Sequence, residues 1–232
     1  MIKESVFKSF DNKDALEAQL TERIAQQLQE AVDNRGKASL VVSGGSTPIK
    51  LFQLLSNKSI EWSDVYITLA DERWVDGESD DSNEKLVRTH LLQNRAANAK
   101  FCGLKNMFSS PEEGGDMAIE QLAHFPRPFD VVILGMGNDG HTCSWFPCSK
   151  EIELALSTDK LCVAVNPESA PNPRISLSKT AILASRQIYL HIVGEQKLAV
   201  YRRALENEDA NSMPIRAVLG QHKTPVDVYW SA

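Results

Sequence analysis

A carboxylate and an imidazole lie two residues apart in the glycine-rich segment Gly135-Met136-Gly137-Asn138-Asp139-Gly140-His141. In an extended loop both side chains share one side, so Asp139 can hold the His141 ring in the tautomer that general base catalysis needs. The alternative is a glycine loop in which His141 caps a helix or makes a local hydrogen bond. The position of the segment, directly after the apolar run 130–134, keeps the catalytic interpretation open beside that alternative.

A second glycine-rich segment, Ser43-Gly44-Gly45-Ser46-Thr47-Pro48, connects an apolar run to a helical pattern. Glycines let a backbone approach a ligand closely, and the free amides at the start of a helix favour anions. This predicts phosphate binding by Gly44, Gly45, Ser46 and Thr47. The segment has neither the Gly-Lys-Ser/Thr ending of a P-loop nor the spacing of a dinucleotide fingerprint. A tight turn with Ser or Thr as the helix N-cap is the alternative.

Three basic residues lie close to the ends of predicted strands or to rigid turns. Arg73 follows Asp71-Glu72, Arg174 follows a proline-rich segment, and Lys197 follows Gly194 in the first turn of a predicted helix. Arginine binds phosphate through two parallel hydrogen bonds, and lysine acts as a point charge. Each residue alone is typical of a protein surface. Together they indicate a local basic site.

Metal binding is an alternative interpretation of the segment around His141. Asp139, His141, Cys143 and Cys148 are all of ligand type, but their spacing matches no zinc pattern. We therefore expect no metal, and we interpret the cysteines as small, partly buried residues.

The elements that must position these residues alternate between strands and helices. Apolar runs predict strands at 39–42, 65–70, 130–134, 161–165, 187–193 and 226–230. Helical spacing and capping residues predict helices at 14–34, after Pro48, and at 83–92, 112–124, 195–206 and 215–219. This alternation is typical of an α/β fold, a three-layer Rossmann-like sandwich with a mostly parallel central sheet flanked by helices. We expect one domain over residues 1–232. Ligands in such folds bind beyond the carboxyl ends of the strands, where the candidate residues lie.

Charge and composition exclude several classes of partner. The chain has 25 Lys and Arg against 31 Asp and Glu, a net charge of −6, so long-range electrostatics disfavour nucleic acid and anionic membranes. The sequence has no stretch of about 20 apolar residues, and the segment 1–14 has no signal-peptide run. Four cysteines are too few for a disulfide-stapled secreted domain. We expect a cytoplasmic protein, a monomer or small homo-oligomer.

Four motifs in a fixed order make the sequence resemble a known family. They are Val41-Val42-Ser43-Gly44-Gly45-Ser46-Thr47-Pro48; Asp71-Glu72-Arg73-Trp74-Val75 with Ser82-Asn83 and Arg88; Gly135 to Thr142 continued through Phe146-Pro147; and Asn172-Pro173-Arg174-Ile175-Ser176-Leu177-Ser178. Over nearly its whole length the chain resembles the family of 6-phosphogluconolactonases and glucosamine-6-phosphate deaminases and isomerases.

The two branches of that family differ at two of these motifs. The deaminases follow the histidine with Asn-Glu-Pro, which contains a catalytic glutamate, whereas this chain has Trp145-Phe146-Pro147. They also usually carry Asp-Glu-Tyr where this chain has Asp71-Glu72-Arg73. Both differences favour the lactonase branch. A deaminase-like isomerase and a non-catalytic sugar-phosphate sensor are the alternatives. A nicotinamide-binding protein is disfavoured, because Asp139 would lie beside the pyrophosphate.

The resemblance implies hydrolysis of 6-phospho-D-glucono-1,5-lactone to 6-phosphogluconate, a step of the oxidative pentose phosphate pathway. His141 would act as general base and then acid, with Asp139 orienting it. Arg73 would stabilise the carbonyl oxygen as it gains charge, and Asp71 would order Arg73 or the sugar hydroxyls. The phosphate would bind the Gly44–Thr47 segment between Arg174 and Lys197. A δ-lactone is already reactive, so no metal or organic cofactor is required.

Overall fold

The computed structural model describes residues 6–232. The segment 1–14, which we predicted not to be a signal peptide, lies partly outside this range, since residues 1–5 are not described. The strands are β1 (Val6–Phe10), β2 (Ala38–Val42), β3 (Val65–Leu69), β4 (Asp71–Arg73), β5 (Lys100–Cys102), β6 (Val131–Leu134), β7 (Cys162–Val165), β8 (Arg174–Leu177), β9 (Ile188–Val193) and β10 (Val226–Ser231). The helices are α1 (Lys13–Arg35), α2 (Ile49–Ser56), α3 (Asn83–His90), α4 (Pro111–Gln121), α5 (Ile152–Ser157), α6 (Lys179–Leu183), α7 (Glu195–Ala204) and α8 (Arg216–Leu219).

Seven strands form one parallel sheet in the order β1-β10-β9-β6-β2-β3-β5. Every residue of β2 and β6 is buried, as the continuous apolar runs predict for strands covered on both faces. The predicted α/β fold with a mostly parallel central sheet is confirmed. The edge strands β1 and β5 were not predicted.

Helices cover both faces of this sheet. On one face the Tyr189 hydroxyl of β9 lies 2.5 Å from Gln27 Oε1 of α1. On the other face Phe7 of β1 stacks on Tyr201 of α7, with ring centroids 5.2 Å apart. Helix α1 also places Leu16, Leu20, Ile24 and Leu28 in the core, on the stripe that their spacing predicts. The fold therefore has three layers, with the sheet between two layers of helices.

The ends of α1 follow the capping rules that its sequence predicts. The Asn12 side-chain oxygen accepts a hydrogen bond of 2.9 Å from the Ala15 amide, and Gly36 ends the helix at a positive φ of 71°. No helix in the described range 6–232 is long and apolar enough to cross a membrane.

A second sheet of three antiparallel strands, in the order β4-β8-β7, lies beyond the end of β3. The Leu177 amide of β8 donates to the Ala70 carbonyl at 2.8 Å, and this bond joins the small sheet to the end of β3. The predicted strand 161–165 is present as β7 but pairs in this sheet. Asp71–Arg73, which the sequence placed at the end of a strand, is itself strand β4. The small sheet thus fixes Arg73 and Arg174 on paired strands.

Candidate active site

A cleft of about 380 Å³ opens at the carboxyl ends of β2, β3, β6 and β9. This is the edge where the sequence predicted a ligand to bind. Nine of the ten predicted site residues line the cleft: Gly44, Gly45, Ser46, Thr47, Asp71, Arg73, His141, Arg174 and Lys197. The tenth, Asp139, lies against His141. The fold therefore brings all ten candidates to one place.

Glycine is required where the glycine-rich segment 43–48 leaves β2. A Cβ atom on Gly44 would overlap the side chain of Asn83, which is itself buried. Gly45 has a positive φ of 87°, a conformation that other residues rarely adopt. Ser43 anchors the segment by donating 3.0 Å to the Ile133 carbonyl of β6. The Gly45 and Ser46 that follow are exposed to the cleft, where their amides are available to an anion.

Asp139 holds the ring of His141. Oδ1 of Asp139 lies 2.6 Å from Nδ1 of the ring and also accepts the His141 amide at 3.1 Å. Burial works against ionisation of Asp139, but the contacts with His141 outweigh it and lower the carboxyl pKa to about 2. An ionised carboxylate only accepts, so Nδ1 carries the proton and Nε2 is the basic nitrogen.

The glycine at 137 makes room for this pair. A Cβ atom there would overlap the His141 ring and crowd the Asp139 carboxylate. The Gly137 amide also donates 2.8 Å to the His141 carbonyl, which closes the loop. On its other side the ring packs against Phe146, with centroids 4.2 Å apart. The imidazole is thus fixed in position while remaining partly exposed.

Asp71 lies beside Arg174 rather than Arg73. Its Oδ2 is 2.5 Å from the Ser144 hydroxyl and 3.9 Å from Arg174 Nη1, and all three side chains are buried. Burial lowers the pKa of Arg174, and the charge of Asp71 opposes that effect. The alternative in which Asp71 orders Arg73 is therefore not what the contacts show. Asp71 holds the guanidinium of Arg174.

Arg73 enters the cleft from the neighbouring strand. It is the register partner of Arg174 across β4 and β8, so both side chains leave the same face of the small sheet. Its Nη1 donates 2.5 Å to the Asp81 carbonyl. The Nε atoms of both arginines are buried and have no partner in the described chain. Both guanidinium groups therefore keep hydrogen-bond donors that the described chain does not satisfy.

Lys197 approaches the cleft from the start of α7. Its Nζ donates 2.7 Å to the Met136 carbonyl, in the segment that carries His141. Burial lowers the pKa of Lys197, and the negative charge of Asp139 opposes that effect. The lysine therefore contributes positive charge on the β6 and β9 side, opposite the two arginines on the β3 side.

Three cleft or support residues were not assigned roles from the sequence. Asn83 packs against Gly44 and donates 2.8 Å to the Asp71 carbonyl. Ser144 binds Asp71, and His191 lines the cleft from within β9. His191 could have been noticed in the sequence, because it is a polar residue inside the apolar run 187–193. Ser144 and Asn83 gave no such signal, because their contacts join residues that are distant in the sequence.

Glu72 supports the site from behind, and Cys143 lines the cleft. The buried Glu72 carboxylate accepts three backbone amides, those of Arg73, Asn83 and Glu84, which fixes the start of α3. Burial raises the pKa of Glu72 against these bonds. Cys143 is buried, and burial raises its thiol pKa well above the usual value. Within residues 6–232 no group of three or more His, Cys, Asp or Glu side chains is arranged to hold a metal ion.

Comparison with known proteins places this geometry in a family. Residues 11–230 match the model of the family described as glucosamine-6-phosphate isomerases/6-phosphogluconolactonase. A 6-phosphogluconolactonase of Pseudomonas aeruginosa is 40% identical over 91% of this chain and 88% of its own. That of Rhizobium meliloti is 39% identical over 96% of this chain and 97% of its own. The crystal structure of a 6-phosphogluconolactonase from Shewanella baltica is 76% identical over the full length of both chains, with a TM-score of 0.98. A monomeric glucosamine-6-phosphate deaminase, 16% identical with a TM-score of 0.74 over 96% of each chain, shares the fold.

Proposed function

The chain belongs to the glucosamine-6-phosphate isomerase/6-phosphogluconolactonase family, and we propose that it hydrolyses 6-phospho-D-glucono-1,5-lactone to 6-phosphogluconate. The relatives at 39–40% identity and the structure at 76% identity all carry the lactonase name, which supports this branch of the family. The proposed reaction is a step of the oxidative pentose phosphate pathway.

The position of Phe146 is the observation that favours the lactonase branch over the deaminase branch. It occupies the place where the resemblance puts the catalytic glutamate of the deaminases. Its buried ring packs on His141 and lies 5.1 Å from the Arg174 guanidinium carbon. An aromatic ring there stabilises a cation and a flat imidazole, but it can neither donate nor accept a proton. The site therefore lacks the carboxylic acid that the deaminases have at this place.

His141 is the proposed general base. With Nδ1 hydrogen-bonded to Asp139, its Nε2 accepts a proton from the attacking water as the water oxygen bonds to the lactone carbonyl carbon. The carbonyl oxygen becomes an oxyanion. His141 then returns the proton to the ring oxygen as the bond between the carbonyl carbon and that oxygen breaks. The products are a free hydroxyl and a carboxylic acid, which then releases its remaining proton to solvent and becomes a carboxylate.

Arg73 is the proposed partner of the oxyanion. Arg73 lines the cleft, and its guanidinium has N–H groups besides the Nη1 that donates to the Asp81 carbonyl, so it can donate a hydrogen bond to a developing negative charge. Removing a donor of this kind from other hydrolases costs about 3–4 kcal/mol of transition-state stabilisation. Asp71 is proposed to accept a sugar hydroxyl with Oδ1, because Oδ2 is engaged by Ser144 and Arg174.

The phosphate is proposed to bind the Gly44, Gly45, Ser46 and Thr47 segment, with Arg174 and Lys197 supplying positive charge. Asp71 holds Arg174, and Met136 holds Lys197. A remote phosphate also fixes the reacting carbonyl, so its binding contributes to the rate as well as to the affinity. No metal or organic cofactor takes part in the proposed reaction.

The location and assembly of the protein follow from the proposed role. We propose a cytoplasmic enzyme, because its four cysteines are free thiols, which a reducing compartment maintains. Its proposed partner is one small phosphosugar, with no nucleic acid or membrane, and it works as a single domain in a monomer or small homo-oligomer.

The experiment that tests the function is hydrolysis of freshly generated lactone, corrected for spontaneous ring opening. We expect enzyme-dependent formation of 6-phosphogluconate, and loss of most of it in His141→Ala with an unchanged far-UV spectrum. Near-normal kcat/KM in that variant contradicts the role of His141. Ammonia release from glucosamine 6-phosphate would assign the chain to the deaminase branch. Lactone binding without turnover would indicate a sensor.

A further inference from the structure

Buried polar atoms without a partner fall in two places within residues 6–232. Nine such nitrogen and oxygen atoms are present, and two are the Nε atoms of Arg73 and Arg174 in the cleft. The other seven belong to Glu17, Thr21, His191, Asp227 and Ser231. In the cleft the proposed substrate would supply hydrogen-bond acceptors. A second concentration of unpaired groups requires its own partner, because a polar group buried without one destabilises the fold.

The second group lies in one layer, between α1 and the sheet. In the parallel pair β9 and β10, His191 is in register with Tyr229, and Ser231 lies two residues further on the same face. Tyr189, also on that face, reaches Gln27 of α1 through its hydroxyl. Glu17 and Thr21 are buried on the side of α1 that packs against the sheet. Glu17 and Thr21 therefore lie on the buried side of α1, and His191 and Ser231 lie on the face of the sheet that α1 covers.

Charged side chains lie at the border of this layer. Lys13 Nζ is 3.5 Å from Glu17, and Lys8 Nζ is 3.6 Å from Asp227. Each carboxylate thus has one lysine nearby, but the Asp227 side chain is 10% exposed and belongs to the border, whereas the Glu17 side chain is fully buried. Burial raises the pKa of Glu17 and lowers the pKa of His191 to about 4, with the charge of Lys13 adding to the effect on His191. Burial thus favours the neutral form of both groups.

We propose that Glu17, Thr21, His191 and Ser231 form a binding site for ordered water between α1 and the strands β9 and β10. Carboxyl, hydroxyl and imidazole groups offer both donors and acceptors, and water satisfies both kinds at once. The four groups make no direct hydrogen bond to one another, and a bridging water would supply the hydrogen bonds that they lack. The hydroxyl groups of Thr21 and Ser231 carry no charge, which favours a neutral ligand over an ion.

The water site adjoins the substrate cleft through one side chain. His191 lines the cleft and is also a member of the buried group. Water bound behind it fixes the rotamer and tautomer of the imidazole. The proposal does not depend on which phosphosugar the cleft binds.

Substitutions that remove one hydroxyl test the site, because the melting temperature falls if water is bound and rises if it is not. If water is bound, Thr21→Val and Ser231→Ala each remove a hydrogen bond, and the melting temperature falls by about 2–4 °C. If the layer is dry, each removes an unpaired hydroxyl from an apolar environment, and the melting temperature rises. Thr89→Val, on the exposed side of α3, is the matched control and is expected to shift it by less than about 1 °C.

A crystal structure at high resolution provides the second readout. We expect ordered water within about 3.2 Å of polar atoms from at least two of the four residues, and fewer such waters in Thr21→Val. A rise or no change in melting temperature for both variants overturns the proposal. Direct contact between Glu17 and His191 with no water in the layer overturns it as well.

Discussion

Replacing Asp139 by asparagine removes the negative charge that holds His141 while it keeps the size of the side chain. In the wild type the carboxyl pKa falls from 3.8 to about 2, a shift worth about 2.4 kcal/mol before screening. Asp139 is 38% exposed, so solvent screening reduces this to about 1–1.5 kcal/mol. Loss of that interaction alone lowers kcat about 10-fold.

The amide of asparagine has a second effect, which sets the upper limit. If its NH₂ group faces Nδ1, the ring proton moves to Nε2, and the base that attacks water is lost. In serine proteases the equivalent change costs about 10⁴-fold in kcat. For Asp139→Asn we therefore expect kcat to fall between about 10-fold and 10⁴-fold, with KM changed less than about 3-fold, because Asp139 is not one of the proposed phosphate-binding residues.

The assay follows lactone generated in place and subtracts spontaneous opening, at several lactone concentrations, so that kcat and KM separate. Asp116→Asn is the matched control, because Asp116 is an exposed acid on α4. A kcat for Asp139→Asn within about 2-fold of wild type would refute the orienting role of Asp139. A large rise in KM at constant kcat would refute it too, since it would show a binding role instead.

Three further predictions address the phosphate site, the glycine loop and the buried layer. Arg174→Ala should raise KM for the phosphorylated lactone much more than for an unphosphorylated lactone; equal effects on both would exclude a phosphate role. Gly137→Ala should lower kcat about 100-fold by displacing the His141 ring, while Gly115→Ala, whose added Cβ meets no neighbour, should not; equal rates would refute the steric argument. Since the pKa of His191 falls from 6.5 to about 4 on folding, the unfolded chain binds the extra proton, and stability should drop by about 3 kcal/mol as pH falls through that window. Denaturant titrations should show a smaller drop in His191→Gln, and parallel pH profiles would contradict this.

Long, strongly patterned segments were predictable from the sequence. The helix predicted at 14–34 is α1 (Lys13–Arg35), because the four-residue spacing of its apolar side chains and its capping residues act locally. The strands β2, β3, β6, β9 and β10 were predicted within one or two residues, because each is an apolar run that is buried in the sheet. These signals do not depend on distant parts of the chain.

The short strands could not be predicted, because their partners create them. Strand β4 has only three residues, Asp71–Arg73, and its side chains show no alternation that marks a strand. It becomes one because Arg174–Leu177 of β8 pairs with it across about 100 residues of sequence. The edge strand β1, Val6–Phe10, is largely exposed and lacks a continuous apolar run.

The candidate site was predicted as a set of residues, with the contact between Asp139 and His141 but without most of the others. Glycine segments at strand ends located Gly44, Gly45 and His141, since backbone geometry favours glycine there. The sequence did not show that Asp71 pairs with Arg174, because that contact depends on the small sheet. The roles of the site residues stay predictions that the variants above test.

The position of β10 in the sheet orders the assembly of the protein in time. Strand β10 lies between β1 and β9, so the first strand of the described chain has no neighbour until residues 226–231 have been synthesised. During synthesis on the ribosome, β1 is therefore made about 200 residues before β10, the strand with which it pairs. The same late strand secures the start of α7, because Ser231 accepts the Gly194 amide at 2.8 Å and Trp230 Nε1 donates 3.0 Å to the Gly194 carbonyl. The helix that carries Lys197 is therefore held at its start by the strand that is synthesised after every other element of the described chain.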